Sequence, residues 1–116
     1  PDPGDHEDQV GIEDFAKIEL RVAEVLSVED VPKADKLYKI SISLGYETRT
    51  IVSGIKNFFK PSDLVGKKII VVCNLKPARL RGVESNGMLL AAGTDDKSSL
   101  ALLVPDIDIP NGTRIS

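Results

Sequence analysis

From Tyr38 to Leu44 every second residue is apolar, Tyr38, Ile40, Ile42 and Leu44, with Lys39, Ser41 and Ser43 between them. A period of two fits a strand with one buried and one wet face, and fits no helix. The same alternation runs through Ile18, Leu20, Val22, Leu26 and Val28, except that Glu24 breaks the apolar side in mid-run. Such a break predicts a bulge or sharp coil at Glu24, the device that lets one strand serve both sides of a small barrel. Gly45-Tyr46 is a turn, and Thr48–Ser53 is the hairpin partner. Two more apolar runs, Lys67–Asn74 and Met88–Ala92, read as buried strands. Leu100–Val104 is a further apolar run, ahead of Pro105 and the turn-forming Pro110-Asn111-Gly112.

Helical signals are few. Residues Ile55 to Val65 are helical in flavour, with Pro61 favouring the first turn of a short helix. Ile12, Phe15 and Ala16 share one helical face, enough for a turn that lids a barrel or meets a partner. Five strands with a helix between the third and fourth, in 116 residues, predict an all-β, five-stranded OB-fold Greek-key barrel with short helices and a C-terminal extension. Residues 1–11, rich in acid, Pro and Gly, are expected to be a flexible acidic tail or linker remnant, and residues 12–116 the folded domain.

Composition removes several function classes. With 41% hydrophobic and 28% charged residues the chain can bury a core and remain soluble. No apolar run approaches the roughly 20 residues of a membrane span, and no secretory pattern opens the sequence, so the expected address is cytoplasmic, away from membranes. Cys73 is the single cysteine and follows apolar residues in a central strand, as a small buried hydrophobe would. Ser53 and Ser85 have no histidine base, because His6 lies in the tail. Glu24 and Asp35 read as a bulge residue and a loop cap. No phosphate loop of the common spacings occurs. The expectation is a protein with no catalytic site, metal or cofactor.

Charge points elsewhere. The net charge is -3, yet residues 1–16 hold six acids and no Lys or Arg, whereas Lys17–Thr94 holds thirteen Lys or Arg against eight acids. Between Lys67 and Arg81 there are five cations and no acid. Phosphate responds to this local field, since charges beyond about 8–10 Å are screened at physiological salt. The connection Asn74–Met88 carries Lys76, Arg79 and Arg81 between two strands. In an OB barrel the nucleic-acid groove is formed by the loops between strands 1 and 2 and strands 4 and 5, with the outer face of strands 2 and 3. Those places hold Lys33 and Lys36, then Lys76, Arg79 and Arg81, then Lys39 and Arg49. A platform for single strands displays several aromatics, but this sheet face carries Lys39, Ser41 and Ser43. Recognition is therefore expected to rest on phosphate contacts and shape, as for a folded RNA, with Tyr46 the one candidate stacker.

Ordered blocks carry a family resemblance: Asp14–Val22, Ala34-Asp-Lys-Leu-Tyr38, Arg49-Thr-Ile-Val-Ser-Gly54, Asn74-Leu-Lys-Pro77, Leu80-Arg-Gly82 and Ser85-Asn-Gly-Met88. Over residues 12–116 the chain resembles the tRNA-binding domain found at the C-terminus of methionyl-tRNA synthetases and in stand-alone tRNA-binding proteins. The resemblance implies an OB fold, homodimerisation, and shape-selective tRNA binding that assists the catalytic part of methionyl-tRNA synthetase. It also implies a groove holding Lys33, Lys36, Arg49, Ser53, Asn74, Lys76, Arg79, Arg81, Ser85 and Met88. Four positions depart from the common pattern: Asn86 stands where Gln is usual, Arg79 where Lys is frequent, and Val31 and Lys33 replace the more common His and Asn. Relatives of the same fold resemble secretion chaperones. The alternative is therefore a dimeric protein-interaction or chaperone-like module, working through the Phe15 turn or through Ile107, Ile109 and Ile115.

Overall fold

The longest strand, Leu20–Val31 (β1), organises the sheet because it pairs differently along its two halves. The computed structural model describes residues 8–116. Most of the expected acidic tail, His6 included, lies outside the described residues. Leu20–Glu24 pairs antiparallel with Lys68–Val72 (β4), and Glu24–Val31 pairs with Ala34–Ser43 (β2). The register slips between Val25 and Ser27, which makes Leu26, 43% exposed, the inserted residue. The bulge thus falls two residues after the expected Glu24. The reason is phase: Val25 and Val28 are three apart, and both reach the core only if one residue is inserted between them. Glu24 itself stays in both ladders and accepts a hydrogen bond from Asn111 Nδ2 at 3.1 Å.

The hairpin from Tyr38 to Ser53 forms as the alternation predicts, with β2 pairing Thr48–Ser53 (β3). On the other flank, β4 pairs a two-residue strand, Met88–Leu89. Between them, residues 74–87 are not a plain loop but a second hairpin, Ala78–Leu80 (β5) and Val83–Ser85 (β6), so Met88–Leu89 is β7. The expected strand Met88–Ala92 breaks at Leu90, and Ala91–Gly93 (β8) pairs Leu100–Leu102 (β9) instead. Arg114–Ile115 (β10) covers the start of β1.

The main sheet runs β3-β2-β1-β4-β7, an OB-like barrel whose two ends must meet. No ladder joins β3 to β7. Two hydrogen bonds cross the seam: Asn86 N–H donates to the Thr50 carbonyl at 2.8 Å, and Val52 N–H donates to Ser85 Oγ at 2.9 Å. The Ser85 hydroxyl in turn donates to the Gly87 carbonyl at 3.0 Å. Inside lie Val25, Tyr38, Ile40, Ile42, Leu44, Ile51, Ile69, Val71 and Leu89. Cys73 is buried with them, and burial raises its thiol pKa, as expected of an inert side chain.

The helical signal over Ile55–Val65 reduces to one turn, Pro61–Leu64 (α2). Proline disfavours helical backbone in the residue before it, and Lys60 is extended at ψ 156°. The Lys60 N–H donates to Asp63 Oδ2 at 2.8 Å, and Leu64 is buried under β1. The N-terminal turn forms over Ile12–Phe15 (α1), with none of its residues buried.

Because Ser85 stands in for a missing strand partner, its removal leaves the Val52 N–H buried and unpaired. Ser85→Ala is expected to cost about 1–3 kcal/mol, read as a lower urea midpoint at unchanged m-value.

Candidate nucleic-acid interface

The β5–β6 hairpin turns at Arg81-Gly82, both in left-handed backbone at φ 50° and 82°, with Leu80 paired to Val83. That is the two-residue turn whose twist matches the flanking strands, and Gly82 meets its second position at no steric cost. Val83 leans, with Leu37, on a small satellite core of Val31, Ala34 and Val52. This contact sets the hairpin against the turn joining β1 to β2. That turn is Pro32-Lys33, closed by the Val31–Ala34 pair. Proline presets its first central position, and Lys33 occupies the second at φ 62°, where Gly or Asn is usual.

Two cations thus sit at turn positions that disfavour them, and the satellite core brings the turns together. Lys33, Lys36 and Arg81 line one hollow of about 440 Å³, with Asp35 the one carboxylate in its wall. A neighbouring hollow of about 450 Å³ is lined by Lys39, Arg49, Thr48, Thr50, Glu84 and Asn86. Residues Thr48, Thr50 and Asn86 escaped sequence reasoning. Their signal was the outward phase of β3 and the seam position beside Ser85.

Ion pairing sharpens the field. Arg21 pairs with Glu19 at 2.8 Å, Lys56 with Asp30 at 3.0 Å and Lys68 with Asp108 at 2.9 Å. Neighbouring cations hold the Glu19 and Asp108 carboxyls below their usual range, chiefly through hydrogen bonds from Arg21 and Lys68. Lys33, Lys36, Lys39, Lys76, Arg79 and Arg81 take part in no ion pair among the described residues. Of these, Lys33, Lys36 and Arg81 share one hollow and Lys39 lines its neighbour, so uncompensated charge is concentrated along the two turns and the β2 face. Lys60, Lys67, Lys97 and Arg114 also form no ion pair among the described residues.

The remaining residues named from sequence divide by what their side chains do. Arg79 Nη1 donates to the Gly82 carbonyl at 3.1 Å, bracing the hairpin tip, and Lys76 is exposed on the approach to β5. Arg49, its side chain only 15% exposed, donates from Nε to Glu47 at 2.6 Å and from Nη1 to the Cys73 carbonyl at 2.5 Å. It is a clasp between β3 and the end of β4, with its charge matched by Glu47. Asn74 accepts from the Glu19 N–H at 2.8 Å and donates to the Lys17 carbonyl at 2.5 Å, which anchors the base of the hairpin connection. Ser85 is spent on the seam. Ser53 and Met88 meet at a third hollow, with Met88 48% exposed beside it. Tyr46 is exposed at its hairpin tip, and the Arg21 guanidinium lies over its ring at 5.7 Å from the centroid.

The sequence and the fold have counterparts among known proteins. The profile of the family described as "Putative tRNA binding domain" matches residues 20–114. The chain belongs to this tRNA-binding domain family. It is 52% identical over 113 residues to a methionine–tRNA ligase of Deinococcus radiodurans, a match covering 97% of this chain and 16% of that relative's length. Among solved structures, a MetRS-related protein from Pyrococcus horikoshii superposes with a TM-score of 0.89 at 38% identity, covering 94% of this chain and 99% of that one. The chaperone CsaA from Bacillus anthracis superposes at 0.82 with 30% identity, covering 93% and 99%. Within this tRNA-binding domain the two turns that carry the unpaired cations fall inside the matched span.

Left-handed backbone costs an ordinary side chain about 1–2 kcal/mol, and asparagine tolerates it better. Lys33→Asn is therefore expected to stabilise the fold by up to about 1 kcal/mol, measured by urea denaturation, while removing one cation from the Arg81 hollow.

Proposed function

We propose that the chain is a non-catalytic module that binds tRNA by shape and phosphate contacts and assists a methionyl-tRNA synthetase, in cis or as a separate beta subunit. The observation that carries this reading is the gathering of unpaired Lys33, Lys36 and Arg81 on one hollow, with Lys39 lining its neighbour and Arg79 on the same hairpin as Arg81. Each cation that meets a phosphate releases condensed counterions, so affinity falls steeply with salt. The same charge on rigid turns favours a folded RNA, whose phosphates stand at fixed spacings. On this reading Asn74, Ser85 and Arg49 are positioning residues that hold the turns, while Ser53 and Met88 border the groove. Residues 12–116 form the module, residues 1–11 a tail or linker remnant, and the site of action is the cytoplasm.

The module acts as a homodimer in this proposal. An apolar hollow of about 470 Å³ between the α1 turn and β4 is lined by Phe15, Ile18, Leu20, Val72, Leu75 and Met88. A second copy covering it doubles the number of basic grooves and raises avidity through effective concentration. Phe15→Glu is expected to shift sedimentation from dimer to monomer and to weaken tRNA binding; a wild-type chain that sediments as a monomer contradicts the dimer.

The CsaA similarity favours a second reading, a protein-interaction module using that same hollow. The other apolar patch expected from sequence is weaker, since Ile109 and Ile115 are half-buried and of the three only Ile107 is exposed.

The decisive variant is Lys33→Gln, Lys36→Gln and Arg81→Gln together. It is expected to weaken tRNA binding and to flatten the log Kd–log salt slope by about 2, measured by fluorescence anisotropy with labelled tRNA. An unchanged slope in a folded triple variant removes this hollow from the interface. Salt-resistant capture of unfolded protein, without tRNA binding, supports the second reading.

A further inference from the structure

The third hollow, about 600 Å³, opens at the far end of β3 from the Arg49 clasp. Its wall combines Ser53, Ile55, Phe58, Met88, Lys97 and Leu100. Phe58 is 40% exposed, unlike the aromatic Tyr38, which is buried and donates its hydroxyl to the Phe59 carbonyl at 2.7 Å. A half-open ring and a half-open thioether on one apolar wall offer a stacking surface that the sheet face itself lacks.

The rim is polar and built. Lys97 sits at the tip between β8 and β9 in left-handed backbone, φ 62°. Around it Asp96 accepts hydrogen bonds from Thr94 Oγ1 at 2.7 Å, Ser98 Oγ at 2.7 Å and the Ser98 N–H at 3.1 Å. The carboxylate beside Lys97 is thereby engaged with hydroxyls, and Lys97 forms no ion pair among the described residues. The hollow also adjoins the basic cluster. At Gly54, in its wall, an added Cβ would lie 3.9 Å from the Lys36 carbonyl and 3.9 Å from the Leu37 side chain. The segment that carries Lys36 therefore runs beside the wall of this opening.

We infer that this hollow receives one unstacked nucleobase of the bound tRNA, stacked on Phe58 and Met88, with Lys97 meeting the adjoining phosphate. A base presents an apolar face and a polar edge, which matches an aromatic–thioether wall beside the Ser53 hydroxyl. An apolar peptide side chain would use the wall but give Lys97 nothing to pair with. The inference rests on the tRNA-binding reading and adds to it a contact with a base.

The test uses the full chain, labelled unfractionated tRNA, and 2′-hydroxyl acylation mapping of one transcribed tRNA. Phe58→Leu keeps an apolar side chain without a ring, and Lys97→Gln removes only charge at an exposed tip. Phe58→Leu is expected to weaken binding about five-fold or more, within the range of one lost base–aromatic stack, at an unchanged salt slope. Lys97→Gln is expected to weaken it and to flatten the slope by about 0.7–0.9. In the wild-type complex one nucleotide becomes hyperreactive, and that signal is lost in Phe58→Leu. Should Phe58→Leu fail to fold, Lys97→Gln and the mapping decide. Salt-sensitive wild-type binding with neither variant affected and no hyperreactive nucleotide overturns the base pocket and leaves the tRNA reading standing. An apolar peptide that occupies the hollow without displacing tRNA also overturns it. Wild-type protein that does not bind tRNA removes the underlying reading itself.

Discussion

The packing of Val83 and Leu37 on Val31, Ala34 and Val52 decides where the positive charge of this chain ends up. Without it, the β5–β6 hairpin would be an isolated two-stranded ribbon, marginal in water at best. A fully buried aliphatic side chain contributes roughly 1.5–3 kcal/mol, and Val83, half-buried, supplies part of that to seat the short hairpin. Once seated, the hairpin tip lies against the β1–β2 turn, and Arg81 shares a hollow with Lys33 and Lys36. Like charges repel there, and two of the three backbones are left-handed. The apolar contact holds in place an arrangement that electrostatics and local sterics both oppose. Strain of this kind persists where the surroundings over-determine it, and it concentrates at functional sites.

The barrel has an analogous economy at its seam. Five strands curl until β3 approaches β7, but the chain makes no ladder there. A serine hydroxyl and one backbone amide complete the ring. The seam residues Ser85 and Asn86 sit directly after β6, so the same short segment closes the barrel and fixes the hairpin's exit. Stability of the core and placement of the basic turns are therefore coupled through a few residues. The same coupling accounts for an acidic chain of the tRNA-binding family. Six of its acids lie within residues 1–16, and among the described residues three cations without an ion pair, Lys33, Lys36 and Arg81, share one hollow.

Much of the fold was legible as periodicity. The β2–β3 hairpin, the buried β4 and the α2 turn at Pro61 follow from alternation and proline chemistry, which are local properties. The bulge was legible in kind but not in place, because its position depends on which valines must share a core. The β5–β6 hairpin was missed, since Arg81 is a poor turn residue by intrinsic preference and its backbone is imposed from outside. The clustering of Lys33, Lys36 and Arg81 was expected from groove positions alone. The inward engagement of Ser85 and Arg49 was not, because a polar side chain's partner lies far away in sequence.

By itself the amino-acid order determined the strand periods, the turn sites and the lopsided distribution of acids and bases, because each depends on neighbours within a few residues. It also carried the family likeness. Only the tertiary structure decided which cations keep their charge uncompensated, which polar groups are consumed in closing the barrel, and which hollows adjoin. Those outcomes depend on distances between residues tens of positions apart, and such distances exist only once the core has formed.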